Sequence, residues 1–452
     1  MAPHLRHQGD AGVSQGADRV WSVSEHLANI LGQLAPLDPI ELQLLDAQGC
    51  VLVEDVTVPV ALPPFENSSM DGYAVRVADT RAAAPEHPAV LEVIGDVAAG
   101  SGVLPTVGPG QAARIMTGAP IPPGAEAVVP VEWTDGGAGS GRATAMTAHS
   151  VDPSGAAGEV RVHQPATAGQ FVRARGSDAA AGDLALAAGT VLGPPQIGLL
   201  AAVGRGTVTV RPRPRVVVLS TGSELVEPDE ELAPGRIHDS NSYALTAAAR
   251  AAGAIAYRVG AVADEVETLR ATIEDQLIRA DVIVTSGGVS VGAYDVVKEA
   301  LSSLGDSFGD DAGSAAGFVQ FRELAMQPGK PQGFGRIGPD RTPLLALPGN
   351  PVSAYVSFEL FVRPVIRTLM GVGAVHREVV RARCSAAIDR SPEGKRQFLR
   401  GHYDHATGTV TPVGGAASHL VKALAHADAL IVVSEAVTSV AAGTEVDVVL
   451  LD

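Results

Sequence analysis

Val216-Val217-Val218-Leu219 carries no polar residue, and neither does Val282-Ile283-Val284 or Leu344-Leu345-Ala346-Leu347. A strand with one wet face alternates polar and apolar residues. A strand that does not alternate is buried on both faces, as inside a parallel sheet covered by helices. Parallel strands need crossover connections, and the sequence supplies them. Asn241 caps an Ala-rich helix running through Ala252, a further strand precedes Ala263, and a helix follows Asp264. The helix after Val282–Val284 begins near Asp295, and the one after Leu344–Leu347 begins near Val352. Alternating strands and helices predict a doubly wound parallel sheet, an α/β domain over residues 213–370. Gly305 to Gly317 reads as a flexible insertion in it.

Other segments have a different texture. Residues 1–19 are polar, lack the apolar core of a signal peptide and read as a disordered leader. Ser22 followed by Glu25 fits a capping box ahead of Leu27, Ile30, Leu31 and Leu34, so a helix begins near residue 22. Residues 56–178 are strands and turns, with Gly136 to Gly141 as a surface loop. The β-like run Gly206 to Val210 ends in Arg211-Pro212-Arg213-Pro214, whose prolines mark a boundary. The expected organisation is multidomain, α/β plus β. A discontinuous linker domain takes residues 20–55 and 179–212, a β-rich domain 56–178, and a small β domain 371–452.

Composition narrows the partners. With 452 residues and about 100–200 per domain, three or four domains are expected. A net charge of −17 argues against nucleic acid, which favours a basic patch. It does not exclude a small anion, which local loops can bind. Cys50 and Cys384 form no CxxC pair, so a structural zinc is not expected and both should be buried thiols. No apolar run is long enough to span a bilayer, and the chain reads as cytoplasmic.

Ligands of doubly wound sheets bind at the carboxyl ends of the strands, and the informative residues follow the strands here. Ser220-Thr221-Gly222-Ser223-Glu224 follows the first. Ser286-Gly287-Gly288-Val289-Ser290-Val291-Gly292 and then Asp295 follow the third, and Pro348-Gly349-Asn350-Pro351 follows the fourth. Glycines let backbone N–H groups approach an anion, so the Gly287 loop is a candidate phosphate or oxyanion cradle, though a Gly-Gly pair is also a common turn. It lacks the Walker lysine. Glu224, Asp264 and Asp295 each lie just past a different strand and could converge on Mg²⁺. Alternatively, Asp264 and Asp295 only cap their helices.

Asn67-Ser68-Ser69-Met70-Asp71-Gly72-Tyr73-Ala74-Val75-Arg76 resembles a signature of the MoeA family, to which the gephyrin E domain is related. So do Arg114-Ile115-Met116-Thr117-Gly118-Ala119-Pro120, Ala127 to Glu132, and the TGSEL, SGGVSVG-x-x-D, PGKP and LPGNPVSA segments. The resemblance spans the chain from about residue 20. It implies an enzyme that binds adenylylated molybdopterin and molybdate, cleaves the adenylate, releases AMP and leaves molybdenum on the pterin dithiolate, with Mg²⁺ on the phosphates. It also implies an elongated homodimer whose cleft is bordered by the partner's β domain, and possible contact with other enzymes of the pathway.

Carried onto this sequence, the resemblance makes Asp71 and Thr117 active-site residues, with Glu224, Asp264 and Asp295 as the acidic set. Arg173, Asp178, Ser286, Gly287, Gly288, Ser290, Gly292, Lys330, Pro348, Gly349, Asn350, Arg400 and Ser418 become cofactor-binding candidates. Plainer roles stand beside these: a turn at Asp71-Gly72, a surface lysine at Lys330, and solvated surface positions for Arg400 and Ser418. The family commonly has lysines ahead of PGKP, where this chain has Glu323 and Gln327, so Lys330 is left to supply the charge. Adenylyl transfer to molybdopterin and a non-catalytic scaffold are the competing functions.

Overall fold

The computed structural model describes residues 20–139, 141–145, 158–289, 297, 299–300 and 319–451. The chain divides into two compact units, one of residues 1–42, 47–53 and 209–452, the other of residues 43–46 and 54–208. No helix among the described residues is long and apolar enough to cross a membrane.

In the first unit, α1 (Val23–Leu31) opens on the expected capping box. Ser22 Oγ accepts from Glu25 N at 3.1 Å, and Glu25 Oε2 accepts from Ser22 N at 2.9 Å. Its inner face buries Val23 and Ile30 together with His26, which meets Phe361 edge-on. Burial, aided by the charge of Arg322, pushes the His26 pKa down to about 4.

The central sheet follows in chain order: β1 (Arg215–Thr221), α2 (Asn241–Ala251), β2 (Ile255–Val262), α3 (Val266–Leu277), β3 (Val282–Ser286), β4 (Gln320–Glu323), β5 (Pro331–Ile337), β6 (Thr342–Leu347) and α4 (Pro351–Ser357). Strands β2, β1, β3 and β6 are adjacent and parallel, as the apolar runs imply. Their residues feed two cores alternately. Val216, Val218, Val282, Val284, Leu345 and Leu347 join one cluster; Val217, Leu219, Ile283, Leu344 and Ala346 join the other. This is the period of two of a strand covered on both sides.

The sheet is not wholly parallel. Beyond β6, β5 and β4 run antiparallel. Their close pairing requires glycine at position 333. A Cβ on Gly333 would lie 2.8 Å from Ala346 Cβ and from the Phe321 ring. The expected helix start near Asp295 and the Gly305–Gly317 insertion lie outside the described residues.

The last strands, β7 (Val379–Cys384), β8 (Arg396–Asp404), β9 (Thr409–Pro412), β10 (Ala429–Val433) and β11 (Glu445–Leu450), pair in the order β8-β9-β7-β11-β10. A further pairing of β10 with β8 closes them into a barrel. The two-residue strand Met326–Gln327 lies parallel to the start of β8. Both cysteines are free and buried.

The second unit is built on a five-stranded sheet, in the order Ala127–Pro130, Gly72–Val75, Gln111–Ile115, Ala89–Val97, Gly158–Val162. The glycine-rich stretch between its Ala127–Pro130 and Gly158–Val162 strands is pinned at its start. Buried Asp135 accepts from Gly137 N, Gly139 N and Arg161 N at 2.9–3.0 Å.

Candidate active site

The carboxyl ends of β1, β3 and β6 open onto a cleft of about 1060 Å³, where the fold places ligands. Its floor is three loops in close contact. Gly287 and Gly288 have φ of 103° and 68°, a region costly for any residue with a Cβ. A Cβ on Gly287 would also lie 2.8 Å from Thr221 Oγ1, and one on Gly349 would lie 3.4 Å from Gly287 Cα. Gly287 N donates to Leu347 O at 3.1 Å, and Ser286 Oγ donates to Pro348 O at 3.2 Å. The Gly-Gly pair is therefore a packed crossing of backbones rather than a free turn.

Asn241 completes this floor. The N-cap of α2 is Ser240, without a side-chain cap, so Asn241 does not cap the helix as the sequence suggests. Its amide instead donates to Ser286 Oγ at 2.8 Å and to Gly349 O at 2.6 Å, tying the β3 loop to the β6 loop. Beside it, buried Asp239 accepts from Ser220 Oγ at 2.8 Å and from Ser242 N at 3.1 Å.

Two acidic candidates meet in the cleft wall, Glu224 and Asp264. Asp264 does not cap α3, whose N-cap is Glu265. Burial raises the pKa of Asp264, and the negative charge of Glu224 raises it further, against a backbone hydrogen bond from Ser223. Asp264 Oδ1 is buried without a partner among the described residues, as is Thr221 Oγ1. Two repelling carboxylates and an orphaned oxygen suit a hard cation. Among the described residues, no three His, Cys, Asp or Glu side chains gather as a ready metal cage, and Mg²⁺ typically takes one or two carboxylates plus substrate phosphates. Ser290, Gly292 and Asp295 lie outside the described residues.

The cations are arranged differently from the sequence reading. Lys330 lines the cleft, but its Nζ lies 2.7 Å from Glu323 Oε2, so its charge is not free. Gln327 Oε1 accepts from Gln397 Nε2 at 2.9 Å. Lys395 also lines the cleft, with no carboxylate within ion-pair distance among the described residues. It enters from the segment leading into β8, and its Gly-Lys-Arg context carries no signal that points to a distant sheet.

Arg400 is not a solvated surface residue: it is 2% exposed, and its guanidinium donates to Gly415 O. Burial pushes its pKa down. It therefore holds the loop that brings Ala416 to His419 into the cleft wall. Ser418 stands in that wall, and its carbonyl accepts from Val352 N at 3.0 Å.

The remaining candidates belong to the second unit. Asp71 Oδ1 accepts from Thr117 N at 2.6 Å and from Thr117 Oγ1 at 2.8 Å. Gly72 is the first residue of a strand rather than part of a turn, and a Cβ there would lie 2.9 Å from Val129 C. Arg173 pairs with Asn67 in a short antiparallel ladder, and Asp178 N donates to Leu62 O at 2.9 Å; both side chains are exposed.

Comparison with known proteins gives three matches in order along the chain: the MoeA N-terminal region (domains I and II) at residues 21–204, a probable molybdopterin binding domain at 217–368, and the MoeA C-terminal region (domain IV) at 381–451. Molybdopterin molybdenumtransferase 2 of Mycobacterium tuberculosis is 45% identical, covering 94% of this chain and 98% of that relative. The Bacillus subtilis molybdopterin molybdenumtransferase is 33% identical over 90% of this chain and 89% of its own. A solved molybdopterin biosynthesis MoeA protein from Pyrococcus horikosii is 32% identical, with a TM-score of 0.69 over 96% of this chain and 100% of that one. The motifs, the sheet with its cleft and these matches along nearly its whole length agree, and the chain belongs to the MoeA family.

Proposed function

We propose that this chain inserts molybdenum into adenylylated molybdopterin. It takes up that substrate and molybdate, cleaves the adenylate, releases AMP and leaves molybdenum on the pterin dithiolate. The observation that carries the reading is the cleft, where glycine loops, a repelling carboxylate pair and lysines meet at the ends of parallel strands, in a chain related along its length to molybdopterin molybdenumtransferases.

Each group has a role. The loops Ser286–Gly288 and Pro348–Asn350, with Ser290 and Gly292, cradle the phosphates through backbone N–H groups and hydroxyls. Glu224 and Asp264, with Asp295, would hold Mg²⁺, which when bound neutralises charge developing on the phosphate leaving group. Lys330 and Lys395 attract the oxyanion. Arg400 positions the loop carrying Ser418. Asp71, Thr117, Arg173 and Asp178 serve the same reaction from the second unit, in a homodimer that works in the cytoplasm.

The direct test is AMP release from adenylylated molybdopterin by the purified chain. Molybdate-dependent release is expected. Formation of the adenylylated pterin from molybdopterin and ATP, with no molybdate-dependent release, would replace this reading with adenylyl transfer. Subunit use is tested by mixing Asp71→Ala and Asp264→Ala chains: recovery of part of the activity is expected, and none in verified mixed dimers counts against a shared site.

A further inference from the structure

Glu323 is the last residue of β4 and lies opposite Pro331, the first residue of β5. The turn between them carries Lys330, and Leu324 N donates to Lys330 O at 2.8 Å. This hairpin register brings Glu323 Oε2 to 2.7 Å from Lys330 Nζ. Lys330 is part of the cleft wall and Glu323 is not. The pair is open to water, with side chains 45% and 59% exposed.

We infer that Glu323 is a built-in competitor for the oxyanion, a carboxylate that occupies Lys330 until molybdate displaces it. The inference rests on the proposed function, because it takes the cleft to receive an oxyanion. An anion binding at Lys330 must break the existing ion pair. Exposed pairs of this kind shift an equilibrium by up to about fivefold and are screened by salt, so the pair tunes affinity without abolishing it. The chain thereby discriminates by charge, since a divalent oxyanion competes with a carboxylate better than a monovalent one does. Gln327 cannot compensate, because it is neutral and its Oε1 is already bonded to Gln397.

The experiment is equilibrium dialysis of molybdate alone against the full-length chain at low salt, using wild type, Glu323→Gln, Lys330→Ala and the double variant. Glu323→Gln should tighten molybdate binding by about two- to fivefold, with the gain fading at high salt. Lys330→Ala should weaken binding, and adding Glu323→Gln to it should recover little. Unchanged or weaker binding in Glu323→Gln would overturn the inference. So would an equal gain in the Lys330→Ala background, which would make Glu323 a simple repulsive charge. AMP release by the wild type, measured in parallel, separates the two claims: if it fails while the binding pattern holds, the proposed reaction is lost and the ion-pair competition stands.

Discussion

Asp71 and Asp264 are both acidic candidates, and their surroundings treat a carboxylate in opposite ways. In the second unit, one oxygen of Asp71 accepts both the N–H and the hydroxyl of Thr117. In the first, Asp264 faces the charge of Glu224 and keeps a buried oxygen without a partner among the described residues. A satisfied carboxylate stabilises its own loop. An unsatisfied buried oxygen costs on the order of 1–3 kcal/mol, and a fold tolerates that where a ligand offsets it. Asp264 is thus left short of partners where the proposed cation would sit, whereas one oxygen of Asp71 is already satisfied by Thr117.

Glycines in the two regions should give the strongest and most divergent responses. Gly287→Ala forces a side chain into φ of 103° and against Thr221 Oγ1. AMP release should fall at least about a hundredfold, equivalent to roughly 2.7 kcal/mol, while the second unit keeps its resistance to proteolysis. Gly72→Ala drives a Cβ into the Val129 backbone and should instead make the second unit the first to be cut. If both variants lost the same unit, the two regions would not be independent in the way described.

Asn241→Ala comes next. It removes both bonds that tie Ser286 to Gly349, and AMP release should fall about tenfold, roughly 1.4 kcal/mol, with little change in Tm because Asn241 is not a helix cap. A large drop in Tm with unchanged activity would make this tie structural rather than functional.

The smallest effect is at Thr117. Thr117→Val deletes the hydroxyl bond to Asp71 but keeps the backbone one. The second unit should lose about 1 kcal/mol by denaturant unfolding. A loss indistinguishable from zero would mean that the backbone bond alone secures Asp71.

The parallel core was legible in the sequence because strands buried on both faces leave no polar residue, as at Val216–Leu219. Strands β4 and β5 were not, since Gln320–Glu323 and Pro331–Ile337 carry no unbroken apolar run. Placement at the strand ends is legible where chain position suffices, as for Ser286, Gly287 and Glu224, which line the cleft. Partnerships were missed wherever they depend on register or long-range closure. The pairing of Lys330 with Glu323 follows from one hairpin register. The bonds from Asn241 cross 45 and 108 residues. Burial of Arg400 depends on β8 meeting the distant Gly414–Gly415 loop.

In the proposed reaction, Asp264 bears its charge against Glu224 because a bound cation would offset it. Its raised pKa fixes the sign. A carboxyl whose folded pKa lies above its unfolded value stabilises the fold most at low pH, and that contribution is lost as pH rises through the folded value. At neutral pH the charge is therefore a burden on the cation-free protein. The measurement is a Mg²⁺ titration of both Tm and AMP release, comparing wild type with Asp264→Asn at neutral pH. Asp264→Asn should have the higher Tm without Mg²⁺, gain less from added Mg²⁺, and release AMP at least about tenfold more slowly at every Mg²⁺ concentration. A lower Tm without Mg²⁺, together with an undiminished rate of AMP release across the titration, would rule out a cation-binding role for Asp264.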